Sequence, residues 1–216
     1  MLNNLILTCL ILSILFEGTF FLSLGLIYQS IEKKALNIRN TFIFETAPSF
    51  KEKNSFINYI FLFAVVVNLF PFIFYLSKTV NAYTISMAIF ATLAMFCLAS
   101  IPFISINKLR EHLYLDLGAL VSLLALFGFE AFYSFNVYKY SEYTYNYALA
   151  SMIISIFFAL VILVAIFNPK LFDFKNVQNE DGTYSRKKFI LLAFSEWMMY
   201  PLGIVSLLPI FLLTMK

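Results

Sequence analysis

The sequence predicts an all-α fold: a polytopic membrane protein built as a bundle of six transmembrane helices, in a single domain over residues 1–216. Three observations carry this. Of the 216 residues, 62% are hydrophobic and 12% are charged, against roughly 45–50% and about 25% in ordinary soluble domains. Six mainly apolar stretches of about 20 residues or more, the length a helix needs to cross a hydrocarbon core, stand between polar clusters. Strand-like alternation is missing from them, and an open sheet facing lipid would leave backbone groups without partners.

The spans are expected at 2–28, 57–76, 80–104, 112–135, 145–167 and 189–213. The first has no Lys or Arg among its leading residues, an apolar run too long for a signal peptide, and no clean small-residue cleavage site after it. It is therefore expected to be a retained helix. The second holds Asn68 ahead of Pro71, whose missing N–H predicts a kink. The turn Ser77–Thr79 is short enough to make the second and third spans an antiparallel hairpin. The fourth opens on His112, the sole histidine, and carries Gly118, Ser122 and Ala125 on a face that permits close helix contact. Asn168-Pro169 stops the fifth. The sixth carries Ser195-Glu196-Trp197 and then Tyr200-Pro201, so a kink is expected near Trp197.

Orientation follows from the basic residues. Twelve of the 15 fall in the stretches after the first, third and fifth spans; only Lys78, Lys139 and Lys216 fall on the other side. With an even number of spans, this bias places the N- and C-termini outside a cell membrane and the charged loops 29–56 and 168–188 in the cytoplasm. Loop 29–56 includes Phe42, Phe44 and Phe50 and has room for a helix lying on the membrane surface. Loop 168–188 contains a turn signal at Asp181-Gly182 and ends in Arg186-Lys187-Lys188, where anionic headgroups would attract it. On the outer side, Tyr138, Tyr140, Tyr143 and Tyr145, with Tyr133 and Tyr147 beside them, read as an interfacial aromatic belt or as a stacking platform for an external ligand.

Composition and motifs also bound the function. The net charge of +3 is not gathered into a basic stripe, which argues against nucleic acid as a partner. One histidine cannot build a multi-histidine metal site. No Ser or Cys has a visible base partner, and no Gly-rich phosphate loop or paired-cysteine spacing is present. These absences argue against an enzyme and predict neither a cofactor nor a metal. Cys9 and Cys97 lie at different depths of the expected bundle and read as free, buried thiols.

Ionisable groups inside a span cost about 2.5–3.5 kcal/mol for Asp on insertion scales, so each is a functional candidate. The candidate polar intramembrane site comprises Glu17 in the first span, Asn68 in the second, His112, Asp116 and Glu130 in the fourth, and Glu196 in the sixth. At about 100° per residue, His112, Asp116 and Glu130 share one stripe, about 27 Å from first to last. In one reading the stripe lines a polar path joined by Glu17 and Glu196, serving a proton relay or a cation site. In the other, His112 and Asp116 are interfacial and Glu130 snorkels to the outer surface, while Glu17 and Glu196 hydrogen-bond other helices through Asn68, Ser13 or Tyr200.

Two functions follow from these readings. The chain binds or moves a small solute, ion or lipid through its bundle in the lipid bilayer, or it is an accessory subunit docked on a membrane protein partner. A third, a membrane-embedded lipid enzyme, would need His112, Asp116 and Glu111 gathered in one inner-leaflet pocket.

The layout also resembles the DRAM-type six-helix membrane family and its bacterial relatives. The matching features are Phe44-Glu45-Thr46-Ala47-Pro48 closing the first loop, Phe56-Ile57-Asn58 opening the second span, Ile101-Pro102 leading to Glu111-His112, and Gly118-Ala119. The resemblance implies six helices and a role in membrane regulation or lipid-related processes. The chain departs from the family pattern at Phe44-Glu45, where a Ser-Glu or Ser-Asp pair is usual. It also departs in the side of its first loop, which the family places outside and the basic residues here place inside.

Overall fold

Apolar side chains point outward and several polar ones point inward, the reverse of a soluble domain. The computed structural model describes residues 2–33, 35–43, 46, 66–101, 109–136, 142–168, 177–178, 184–185 and 188–214. Among them the helices are α1 (Leu2–Glu32), α2 (Phe70–Lys78), α3 (Ala82–Ser100), α4 (Leu109–Asn136), α5 (Glu142–Phe167), α6 (Leu191–Val205) and α7 (Leu207–Thr214). Among the described residues five stretches are long and apolar enough to cross a membrane: Asn4–Ser30, Ala82–Ser100, His112–Asn136, Glu142–Phe167 and Leu191–Leu213. Of the span expected at 57–76, only residues 66–76 are described, so its first half lies outside the described residues.

Helix α1 shows the inversion clearly. Ile11, Ile14, Leu15, Leu22 and Leu26 are exposed, whereas Ile6, Cys9, Ser13, Glu17, Phe20 and Leu24 are buried at helical spacing. The same outward apolar surface continues through Ile85, Ile89, Leu93 and Phe96 on α3 and Ile153, Phe157 and Leu160 on α5. An exterior of this kind is compatible with an integral membrane protein, because lipid removes the cost of exposing it. Hydroxyls inside the helices bond to their own backbone, as Ser13 does to the Cys9 carbonyl and Ser155 to that of Ser151. That satisfies a polar group without water.

The sixth apolar stretch is the axis of the bundle. Helix α6 packs on α1, α3, α4 and α5, and α7 packs on α1, α2, α4 and α5. Helix α6 is buried nearly all round, from Leu192 to Gly203, which is how a helix that is apolar on every side is accommodated. Pro201 lies inside it, but the interruption falls at Ser206 rather than near Trp197. Pro209 accounts for the position. It has no N–H for the Val205 carbonyl and its ring crowds that turn, so the chain ends one helix and begins another. The Ser206 hydroxyl donates to the Gly203 carbonyl and caps the break.

Pro71 acts as the sequence predicts. It occupies the first turn of α2, and Asn68-Leu69 form a turn between the helical residues Val66-Val67 and α2. The hairpin to α3 is set by an Asn81–Thr84 capping box, each side chain bonding the other's backbone N–H at 2.9–3.0 Å. It holds the connection at residues 79–81, slightly later than expected.

Two expectations about the loops change. Phe42 does not lie on a surface: Phe42, Ile43 and Thr46 are buried against the bundle, while Phe44 and Phe50 lie outside the described residues. In loop 168–188 a two-residue antiparallel ladder pairs β1 (Val177–Gln178) with β2 (Tyr184–Ser185), Val177 opposite Ser185. The Asp181-Gly182 signal falls between these strands but outside the described residues. Tyr133 also leaves the expected belt. It is buried, its hydroxyl 3.1 Å from that of Tyr75 and its ring edge-on to it. Tyr143 and Tyr147 are exposed; Tyr138 and Tyr140 lie outside the described residues.

Candidate functional site

The six residues singled out from the sequence are all buried, none more than 2% exposed. His112, Asp116 and Glu130 therefore face into the bundle. Each lies on the α4 face that also buries Leu120, Leu123 and Phe127. This is one stripe, as the spacing predicts.

Glu17 is held by Asn68. The Asn68 Nδ2 donates to Glu17 Oε1 at 2.9 Å and lies 3.9 Å from the Met95 Sδ. The break before Pro71 makes this contact available, because Asn68 sits in a turn instead of a continuous helix. Glu17 Oε2 and Asn68 Oδ1 have no hydrogen-bond partner among the described residues. One turn along α1, Phe21 packs on Trp197 and Tyr200 of α6, with ring centroids 5.5 and 5.7 Å apart. Glu17 is thereby brought toward Tyr200.

Tyr200 is the centre of the arrangement, which the sequence reading did not foresee. Its hydroxyl lies within electrostatic reach of Glu196, Asp116 and Glu17, which come from α6, α4 and α1. Its proton is directed elsewhere, to the Leu98 carbonyl at 3.0 Å. That carbonyl is available because the residue four positions on is Pro102, which has no N–H to offer it. The signal was in the sequence: a buried tyrosine hydroxyl seeks a partner, and a proline just beyond a helix end supplies an open carbonyl. Cys97 of α3 faces α4 beside Gly118. A Cβ on Gly118 would sit 3.2 Å from its Sγ. Both cysteines are free.

Glu196 makes a different contact. Its Oε2 accepts the backbone N–H of Ile43 at 3.0 Å, and the neighbouring Trp197 donates its indole N–H to the Thr41 carbonyl at 2.7 Å. A third bond joins the Ile190 N–H to the Arg39 carbonyl at 2.7 Å. Residues 39–43 thus run as a strap along the start of α6, with Phe42 and Ile43 buried beneath it. Burying two such side chains contributes about 1.5–3 kcal/mol each.

Glu130 stands apart. It is fully buried, and neither carboxyl oxygen has a hydrogen-bond partner among the described residues. Fourteen residues separate it from Asp116, about 21 Å along the helix, so it does not join the group around Tyr200. A carboxyl without hydrogen bonds costs stability whether or not it carries a proton. Glu130→Met is expected to raise the stability of the purified protein by roughly 1–4 kcal/mol, the range for replacing buried ionic groups by apolar ones of similar volume. A lower thermal unfolding midpoint in the variant would show that Glu130 is held by favourable contacts.

Among the described residues no group of three His, Cys, Asp or Glu is close enough to hold a metal ion. The basic side chains described, Lys33, Arg39, Lys78 and Lys188, are exposed, so none neutralises the carboxyls from within. Two apolar clefts lie elsewhere. One, of about 280 Å³, is lined by Gly128, Ala131, Phe132 and Tyr145 between α4 and α5. The other, of about 470 Å³, is lined by Leu5, Cys9, Phe70 and Phe74 between α1 and α2. Comparison with protein-family models, with curated proteins and with solved structures found no match to this chain.

Proposed function

We propose that the chain is a multi-pass integral membrane protein of six spans that moves protons, alone or with a small solute or ion, through the Glu17–Asp116–Glu196 cluster. In this reading both termini are outside and loops 29–56 and 168–188 are cytoplasmic, as the basic residues argue. The observation that carries it is that three buried carboxyls from three helices lie within electrostatic reach of one buried hydroxyl, that of Tyr200, while the described Lys and Arg side chains are exposed. A bundle assembled for packing alone gains nothing from such groups, since apolar residues of similar volume would serve at least as well. Asp116 has an oxygen with no hydrogen bond among the described residues, as does Glu17, and His112 lies one turn from Asp116 on the same face.

The test is proton flux into reconstituted vesicles containing a pH-sensitive dye, driven by a potassium–valinomycin diffusion potential. Asp116→Asn is expected to slow dye acidification about tenfold or more, as removal of a proton-carrying group does. Equal flux in both vesicle populations, or none above protein-free vesicles in either, would remove the transport reading.

A second reading, an accessory subunit on a membrane protein partner, is favoured by two contacts. Glu17–Asn68 and Glu196–Ile43 are hydrogen bonds of the kind that fix packing. This reading expects stable co-purification of one other chain and no flux. The resemblance to the DRAM-type family, with its membrane-regulatory role, is in keeping with it.

A further inference from the structure

We propose that Glu17 and Asn68, where the helical run is interrupted ahead of Pro71, form a binding site for a small monovalent cation of the sodium kind. The binding stands on the geometry of these residues. Its link to transport rests on the reading of Glu17 as a member of the transport cluster.

The Asn68 amide is fixed from its nitrogen side, where Nδ2 donates to Glu17 Oε1 at 2.9 Å and lies 3.9 Å from the Met95 Sδ. The other oxygens of this bonded pair, Asn68 Oδ1 and Glu17 Oε2, are buried acceptors with no hydrogen-bond partner among the described residues. The backbone adds to them. The Leu69 N–H bonds the Val66 carbonyl, and the Ile73 N–H bonds the Leu69 carbonyl. Between these, no donor is described for the carbonyls of Val67 and Asn68, and Pro71 has no N–H to offer the first. Ser13 lies one turn before Glu17 on the same face of α1 and is fully buried. Its hydroxyl proton goes to the Cys9 carbonyl at 2.8 Å, so its oxygen presents lone pairs.

All of these groups are oxygen acceptors, the ligands that hard cations take. A water molecule has two hydrogens to donate among them, whereas a cation satisfies them together and offsets the Glu17 charge. Interrupted membrane helices hold coupling ions in this way, through unwound backbone carbonyls. One carboxylate matches one positive charge. A divalent ion would leave net charge buried, and among the described residues it has no cluster of His, Cys, Asp or Glu to hold it. Glu17 takes the cation only after giving up its proton: the acid and a free cation become the carboxylate with its cation bound and one proton released. Cation and proton therefore exchange on one side chain, and lower pH opposes the cation. The helices packed on α1 bring other titratable groups, Tyr75 and Lys78 from α2 and Glu196 and Tyr200 from α6, with none from α7. Asp116 of α4 shares the surroundings of Tyr200.

The test is thermal unfolding of the full chain in detergent, in sodium chloride against choline chloride at equal ionic strength. Sodium is expected to raise the midpoint in a saturable way, as a ligand held by the folded state alone does. The half-saturating concentration is expected to rise as the pH is lowered. Equal midpoints of the unaltered protein in the two salts overturn the site, and half-saturation that ignores pH overturns the exchange. Glu17→Gln keeps an acceptor for the Asn68 amide but loses the charge, and is expected to abolish the sodium effect. Pro71→Ala restores an N–H for the Val67 carbonyl and is expected to raise the half-saturating concentration about tenfold, the worth of one contact of hydrogen-bond size. A sodium effect that either folded variant leaves unchanged would overturn the assignment to these residues. A sodium effect lost in Glu17→Gln, beside proton flux that Asp116→Asn leaves unchanged, overturns the proposed function and keeps the cation site. No sodium effect, beside flux that Asp116→Asn removes, overturns the cation site alone.

Discussion

Asn68→Leu is expected to destabilise the protein by about 3 kcal/mol, because it leaves Glu17 buried with neither oxygen bonded. The Asn68 amide is the donor described for that carboxyl, at 2.9 Å, and leucine matches its bulk while offering nothing polar. The larger part of the cost is the orphaned group, since a made hydrogen bond returns only about 0.5–1.5 kcal/mol net. The double variant Glu17→Leu/Asn68→Leu should therefore recover most of the loss, as replacing both members of a buried polar pair often does. Thermal unfolding in detergent, followed by helical circular dichroism, measures all three variants. Additive losses in the double variant would show that the two side chains do not depend on one another.

Gly203→Leu is expected to cost at least as much, and to disturb the cluster besides. A Cβ at this position would lie 3.3 Å from Leu98 Cδ1 and 3.4 Å from Met95 Cε. Alanine needs its neighbours to give by a few tenths of an ångström, and it also relieves the helix of a glycine, a gain of up to about 1 kcal/mol. Gly203→Ala should thus be near neutral. Leucine adds three further carbons to an occupied space, and overpacking of this kind costs roughly 1–3 kcal/mol or more. Relief requires α6 to move off α3, which carries Tyr200, one turn earlier, away from the Leu98 carbonyl it bonds at 3.0 Å. The expected signature is a lower unfolding midpoint together with faster thiol labelling of Cys97. A stable Gly203→Leu protein with unchanged labelling would mean that α6 and α3 are not in tight contact there.

Much of the architecture was legible because a bilayer imposes simple rules. Long apolar stretches had to be helices, since no other open structure pairs its backbone groups in lipid. Five of the expected spans coincide with described helices that are long and apolar enough to cross. Pro71 was readable as local chemistry, whereas the Asn81 cap was not picked out. The inward stripe His112–Asp116–Glu130 followed from a helical period applied to polar residues in an apolar segment. What misled was treating each proline and each aromatic residue alone. Pro201 sits within α6 unbroken, whereas Pro209, which drew no notice, sets the break at Ser206. Tyr133 was grouped with exposed tyrosines by sequence proximity, although its helical face turns it toward Tyr75.

By itself the sequence determined the class of solvent, the helical state of the spans and the list of polar groups that pay for being in them. Those are properties of single segments: length, hydropathy and period. The tertiary structure alone decided that Glu17, Asp116 and Glu196 share the surroundings of Tyr200 while Glu130 stays apart. It alone decided that residues 39–43 bind the start of α6. The physical reason is that such neighbours are more than 60 residues apart in sequence and meet only through helix rotation and packing. Those are set by Gly203, Gly118, Phe21 and the prolines acting together, which no periodicity encodes.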